Sequence, residues 1–187
     1  MKERPILFSA PMVRAILAGT KTQTRRAVKP QPNIVHAIYG DASIDTNLIF
    51  RAGDQRIHCP YGQPGDRLWV RETWTQACVR PRQGDEVFYR ADGEVAPEFE
   101  PWIPSIHMFR WASRITLEIV SLRVERLHGI SEADAMAEGA EPYRLPVNPA
   151  REALRHVDGF HHLWNSINGP GSWDANPYVW VVEFKRV

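Results

Sequence analysis

Cysteine and lysine are both scarce in this chain. The two cysteines, Cys59 and Cys78, are too few for a disulfide framework, so they read as reduced thiols of a cytoplasmic protein. No run of about 18 apolar residues exists, which excludes a hydrophobic membrane-spanning helix. Met1 to Phe8 carries Lys2, Glu3 and Arg4 and lacks the long apolar stretch and small-residue cleavage site of a secretory leader. There is no excess of charge either. The formal net charge of +1 argues against bulk electrostatic binding of duplex nucleic acid, while leaving room for a local basic site. Internal repeats and low-complexity tracts are also absent.

What is present is arginine, tryptophan and enough chain for a hydrophobic core. The 187 residues fit one domain. Of 23 basic residues only Lys2, Lys21, Lys29 and Lys185 are lysines, and there are seven tryptophans. Arginine forks and indole faces together can read planar, polar ligands such as nucleobases. The plainer reading is that they pack and snorkel.

Regular segments alternate with Pro/Gly-rich stretches. Arg4–Ser9 reads as a first strand. Pro11 opens a helix with Met12, Val13, Ile16 and Leu17 at helical spacing, and Gly19 closes it. Lys21–Val28 is polar and Thr-rich, an exposed or edge strand. Residues 29–66 read mostly as loop, with weak strands near Asn47–Arg51 and Arg56–His58. Asp66–Trp74 and Glu86–Ala91 are strand signals, and Trp111–Leu127 is the strongest. In that last segment Ile115, Leu117 and Ile119 share one face, and Leu122 and Val124 then continue in the opposite parity. A slip of one residue near Val120–Ser121 predicts a bulge. Ser131–Glu138 is a short helix with a Ser131/Asp134 capping box and Gly139 as its stop. Arg151–Ile167 is helical by Leu154, Val157, Phe160, Trp164 and Ile167, weakened by Gly159. Tyr178–Lys185 is a buried closing strand. About six strands and three short helices, without β-α-β alternation, predict an α+β fold, a small bent β-barrel decorated by helices.

Two places stand out chemically. From Arg4 to Gly40 there are six cations (Arg4, Arg14, Lys21, Arg25, Arg26 and Lys29) and no anion. One cation at a helix exit complements the helix dipole; six predict a pocket for an oxygen-rich or anionic ligand. Lys21 is the member able to lose its proton when desolvated or crowded by Arg25 and Arg26, the direction a general base needs. Thr24 supplies a hydroxyl three residues on. In an ideal strand the two would face opposite ways, so they can share a site only if Lys21 sits in the turn before the strand. The second place is Glu138, in the last turn of its helix, where the dipole disfavours an anion. It either holds a proton, meets a cation, or is an ordinary solvated glutamate.

Other candidates are weaker. His36, His58, Cys59 and Cys78 can be written as a zinc set, but neither a C-x-x-C nor an H-x-x-x-H pair occurs, and plain thiols are the better reading. His161 and His162 point to different faces of one helix. His107 precedes the longest strand. Trp111 or Trp69 could stack on a base, while core packing is the better reading for at least four of the seven tryptophans.

Gly19, Lys21 and Arg26 fit the G-x-K-x-x-x-x-R signature of ASCH domains, PUA-like β-barrels proposed to bind RNA or nucleosides. The resemblance extends to the Gly65–Val70 strand, the Ile130–Gly139 helix and the closing Trp180–Lys185 strand. The chain is similar to the longer, Trp-rich members found in prophages, with insertions near 29–66, 77–104 and 140–150. One branch of the family hydrolyses the amide of N4-acetylcytidine, and this sequence resembles that branch at Lys21, Thr24 and Glu138. The resemblance implies a metal-free, cofactor-free acyl transfer. Thr24 is then the nucleophile, Lys21 its base, and Glu138 the acid for the leaving amine or the group orienting Lys21. Arg26 contacts the base carbonyl or the oxyanion, and Arg25, Trp69 and Trp111 complete the substrate contacts. The expected partner is a modified cytidine nucleoside or single-stranded RNA, with no membrane and no obligatory protein partner. A non-catalytic RNA or modified-base reader and a ribonuclease are the rival readings.

Overall fold

The structure, a computed structural model, describes residues 1–32, 34–36, 49–52, 55–76, 83–93, 101–143 and 154–187. Much of the expected insertions 29–66, 77–104 and 140–150 lies outside these residues, as do Cys78 and the first three residues of the Arg151–Ile167 helix.

The fold is α+β. In chain order, β1 (Glu3–Leu7), α1 (Ala10–Leu17), β2 (Gln23–Ala27), β3 (Ile34–His36), β4 (Ile49–Ala52) and β5 (Gln55–Ile57) make the first third. β6 (Arg67–Arg71), β7 (Trp74–Gln76), β8 (Val87–Tyr89) and β9 (Thr116–Arg126) follow, then α2 (Glu132–Ala137), α3 (His156–Asn168) and β10 (Tyr178–Arg186). The main sheet has the order β1-β6-β9-β10-β2, with β3-β4-β5 and β7-β8 as separate small sheets. Among the described strands of this sheet, β1 and β6 pair in parallel and the other neighbours are antiparallel.

The expected six-stranded barrel corresponds to this bent five-stranded sheet. Among the described residues no backbone ladder joins its edges β1 and β2. The Arg26 guanidinium spans that gap instead, donating from Nη2 to the Leu7 carbonyl at 2.7 Å and lying over the Phe8 ring. A side chain in place of ladder bonds holds the edges near each other without closing the sheet.

Local rules account for the elements around the site. Pro11 stands in the first turn of α1, where its missing N–H costs nothing. Ser131 caps α2 with a complete capping box to Asp134. In β9 the pairing passes from Glu183↔Ser121 to Phe184↔Ile119, leaving Val120 as the extra, half-exposed residue of a bulge. Trp111 belongs to a short 3-10 turn, Arg110–Ala112, and the strand begins only at Thr116.

Strand parity sorts the core into two faces. Trp180, Val182 and Phe184 pack with Ile6, Leu68, Leu117 and Ile119 beneath Val13 and Ile16 of α1. Val179 and Val181 face the other way, against Leu127 after β9 and against Ala135, Phe160 and Trp164 of the α2–α3 layer. Each large side chain so buried contributes about 1.5–3 kcal/mol. Strand β2 is an edge, as expected, but Gln23, Thr24 and Arg25 are buried rather than exposed, because α2 and α3 cover it.

Candidate active site

The signature turn is built by two helix ends meeting. Gly19 adopts φ +77° after α1, and the Thr20 and Lys21 amides donate back to the Ala15 carbonyl at 2.9 and 3.1 Å. Gly139 does the same for α2 at φ +71°, and a Cβ added there would stand 3.0 Å from that of Ala15 and 3.2 Å from that of Lys21. Only glycine permits both the turn and the approach. The Thr22 amide donates to the Ala137 carbonyl at 2.9 Å and locks the two ends together.

Lys21 therefore sits in the turn, two residues before β2 begins, and its side chain is free of the strand's alternation. It runs inward to full burial. Nζ donates to the Gln23 carbonyl at 2.8 Å, to the Glu138 carbonyl at 2.7 Å and to Glu138 Oε2 at 3.0 Å. The ammonium complements the carbonyl end of α2, not that of α1 as its sequence position suggested.

Glu138 is not a solvated surface residue. Its side chain is 3% exposed and also accepts from Arg25 Nη1 at 3.2 Å. The carboxylate is thus held by two cations whose own side chains are 0% exposed. Arg25 continues outward to Glu125, with Nε at 3.1 Å, and to Asp134 at 3.4 Å. Arg123 links Asp134, Glu125 and Glu183. Gln23 Nε2 donates to the Asp134 carbonyl and side chain at 2.9 and 3.0 Å.

Burial pushes the Lys21 amine below its ordinary range; Glu138 opposes that shift, and Arg26 and Arg25 add to it. Taking an ion out of water costs several kcal/mol, so a buried pair is weak evidence for stability. A cluster of that kind on the wall of a cavity is evidence for chemistry.

The cavity lies beside β2 and measures about 50 Å³. Thr24, Arg25, Arg26 and Glu138 line one side, and Phe160, Leu163 and Trp164 of α3 close the other. Thr24 and Glu138 are thereby brought to one cavity, which Lys21 reaches through its bond to Glu138. All three protons of Lys21 are already engaged, and Thr24 Oγ1 is not among its acceptors. Next to it, a second cavity of about 280 Å³ shares the Arg26, Ala27 and Asn168 walls and adds Lys29, Tyr61 and Trp180.

Of the six cations in the expected cluster, three meet carboxylates. Arg4 pairs with Asp66 at 3.0 Å, Lys21 and Arg25 are committed to Glu138, and Arg14 donates to the Ala91 carbonyl. Arg26 and Lys29 are the two that line the larger cavity.

Trp69 and Trp111 are not brought to either cavity. Trp69 lies under the guanidinium groups of Arg71 and Arg110, and Trp111 stacks on Phe109 and meets Trp74 edge-on. Trp164 and Trp180 take their place at the cavities. Nothing local marked them, because their helix and strand spacing reads as core. His161 stacks on Trp173 and His162 on Tyr143, in different directions, and His107 is exposed. Among the described residues no three His, Cys, Asp or Glu side chains gather as a metal site, and Cys59 is a free thiol. No helix of the described residues is long and apolar enough to cross a membrane.

No protein-family model, curated protein or solved structure matches this chain.

Proposed function

We propose that the chain is a cytoplasmic, ASCH-like amidohydrolase that removes the acyl group from an N4-acylated cytidine-type nucleoside. The observation that carries this reading is the buried Lys21–Glu138 pair on the wall of the cavity that Thr24 lines. The neutral Lys21 amine takes the Thr24 hydroxyl proton as Oγ1 bonds to the acyl carbon. The carbonyl electron pair moves onto its oxygen near Arg26. Collapse expels the cytosine amine, which receives the proton from Lys21, with Glu138 orienting the ammonium. Water, deprotonated by the same amine, then cleaves the threonyl ester. Burial and the neighbouring arginines favour the neutral amine this sequence needs. To reach Thr24, Lys21 must release one of its three present acceptors.

The test is the ultraviolet change as N4-acetylcytidine becomes cytidine. The wild-type protein turns it over, and kcat/KM rises with pH to a plateau reached below the ordinary lysine value of 10.5. Lys21→Ala and Thr24→Ala each lower the rate by at least about 10²-fold, the scale of losing a base or nucleophile. Turnover that survives either change removes the proposal.

The saturated Lys21 ammonium favours a second reading, a non-catalytic reader of a modified base or single-stranded RNA. In that case Thr24→Ala leaves binding intact, while Arg26→Ala weakens it in a salt-dependent way.

A further inference from the structure

The 50 Å³ cavity carries two features that the Lys21, Thr24 and Glu138 chemistry leaves unused. Trp164 is 5% exposed, and its Nε1 is buried with no hydrogen-bond acceptor among the described residues. Arg26 Nε is likewise buried and unpartnered, although its Nη2 is occupied by the Leu7 carbonyl. Both residues line this cavity. A buried N–H with no acceptor is disfavoured, and two at one cavity mark a place for an oxygen. Met12, Phe160, Leu163 and Ile167 add apolar wall, and Asn168 a polar side chain.

We propose that this cavity is an acyl-group receptor in which Trp164 Nε1–H and Arg26 Nε–H donate to the carbonyl oxygen, while the α3 side chains enclose the alkyl end. The assignment rests on the amidohydrolase reading above and adds to it a specificity-determining residue and a size limit. A water needs about 10–15 Å³ of volume measured in this way, so about 50 Å³ has room for a few water-sized groups, enough for an acetyl group and too little for a benzoyl ring. The adjoining 280 Å³ cavity, which shares the Arg26 and Asn168 walls, takes the nucleoside. When Thr24 Oγ1 bonds to the acyl carbon, the carbonyl pair moves onto the oxygen and the same two donors hold the negative charge. Donors fixed before the reaction are worth more in a dry cavity than in water.

The test has two arms on the full chain. In the first, the indole N–H resonance of Trp164, identified by its absence in Trp164→Phe, is followed in the wild-type protein by NMR. It shifts on adding acetamide or N4-acetylcytidine and stays in place with cytidine. In the second, kcat/KM is measured for N4-acetyl-, N4-butyryl- and N4-benzoylcytidine. It falls at least about tenfold at each step, and Trp164→Phe lowers kcat for the acetyl substrate by about 10²-fold with KM little changed. Equal turnover of all three substrates, or no indole shift in a protein that does hydrolyse N4-acetylcytidine, overturns the receptor alone. If no substrate is hydrolysed, the amidohydrolase reading fails, and the acetamide titration still decides the receptor. A shift then supports it, and a fixed resonance overturns it; where Trp164→Phe does not fold, the resonance is assigned by triple-resonance NMR on the wild-type protein.

Discussion

At the scale of single residues, Glu138 decides most. It accepts from Lys21 and Arg25 with its side chain 3% exposed, and its main-chain carbonyl takes a third bond from Lys21. Removing one partner of a buried pair leaves a desolvated charge behind, at about 3–5 kcal/mol. Glu138→Ala is therefore expected to lower unfolding stability by about that amount, read as a fall in the urea midpoint at unchanged slope. A loss below about 1 kcal/mol, the range of an exposed ion pair, contradicts the buried arrangement. A carboxylate at an unfavourable helix end was legible in the sequence as an anomaly needing a cation. Which cation was not, because Lys21 lies 117 positions away and no local rule spans that distance. Trp164 shows the limit from the other side. Its helical spacing marks it as core, and whether an indole N–H finds an acceptor depends on neighbours contributed by β2 and α1.

At the scale of elements, close approaches decide. Gly159 lies inside α3, where a glycine costs about 1 kcal/mol relative to alanine. It is retained by geometry: a Cβ there would stand 1.8 Å from the Glu141 carbonyl oxygen. Gly159→Ala is thus expected to destabilise the protein despite its better helix propensity, seen as a lower melting temperature. A rise in melting temperature would show that α3 does not lie against Glu141. The same substitution displaces the helix that closes the 50 Å³ cavity. Sequence periodicity read Gly159 only as a weakness in the helix. It served better for α2, where Ser131, Asp134 and Gly139 define both ends, and for β9, where the parity change located the bulge at Val120. Those features act over three or four residues, which is why local spacing reveals them. The polar composition of β2 suggested exposure; in the fold its side chains are polar because they meet buried ions.

At the scale of the molecule, the ion network joins the sheet to its helical layer. Arg25 of β2, Arg123 and Glu125 of β9, Glu183 of β10 and Asp134 of α2 form one connected set. Partial burial resists ionisation of Asp134, but hydrogen bonds from Ser131 and Gln23 and the charge of Arg25 hold its carboxyl down at about 2, from an ordinary 3.8. A carboxyl depressed in the folded state adds stability that is fully present above 3.8 and lost as pH falls through about 2. Stability is expected to decline across that window, and Asp134→Asn to flatten the decline. Acid titration of the unfolding free energy for both proteins checks this; parallel curves refute it.

The sequence by itself determined the α+β class, the helix at Pro11, the capped helix at Ser131, the bulge and the singular position of Lys21, because each depends on spacing, capping or charge within a few residues. Only the tertiary structure decided that Lys21 and Arg25 converge on Glu138, that Arg26 spans the edges of the sheet, and that α3 rather than Trp69 or Trp111 walls the cavity. Those outcomes depend on which distant surfaces lose water together. That is fixed by packing the two faces of one sheet against three helices.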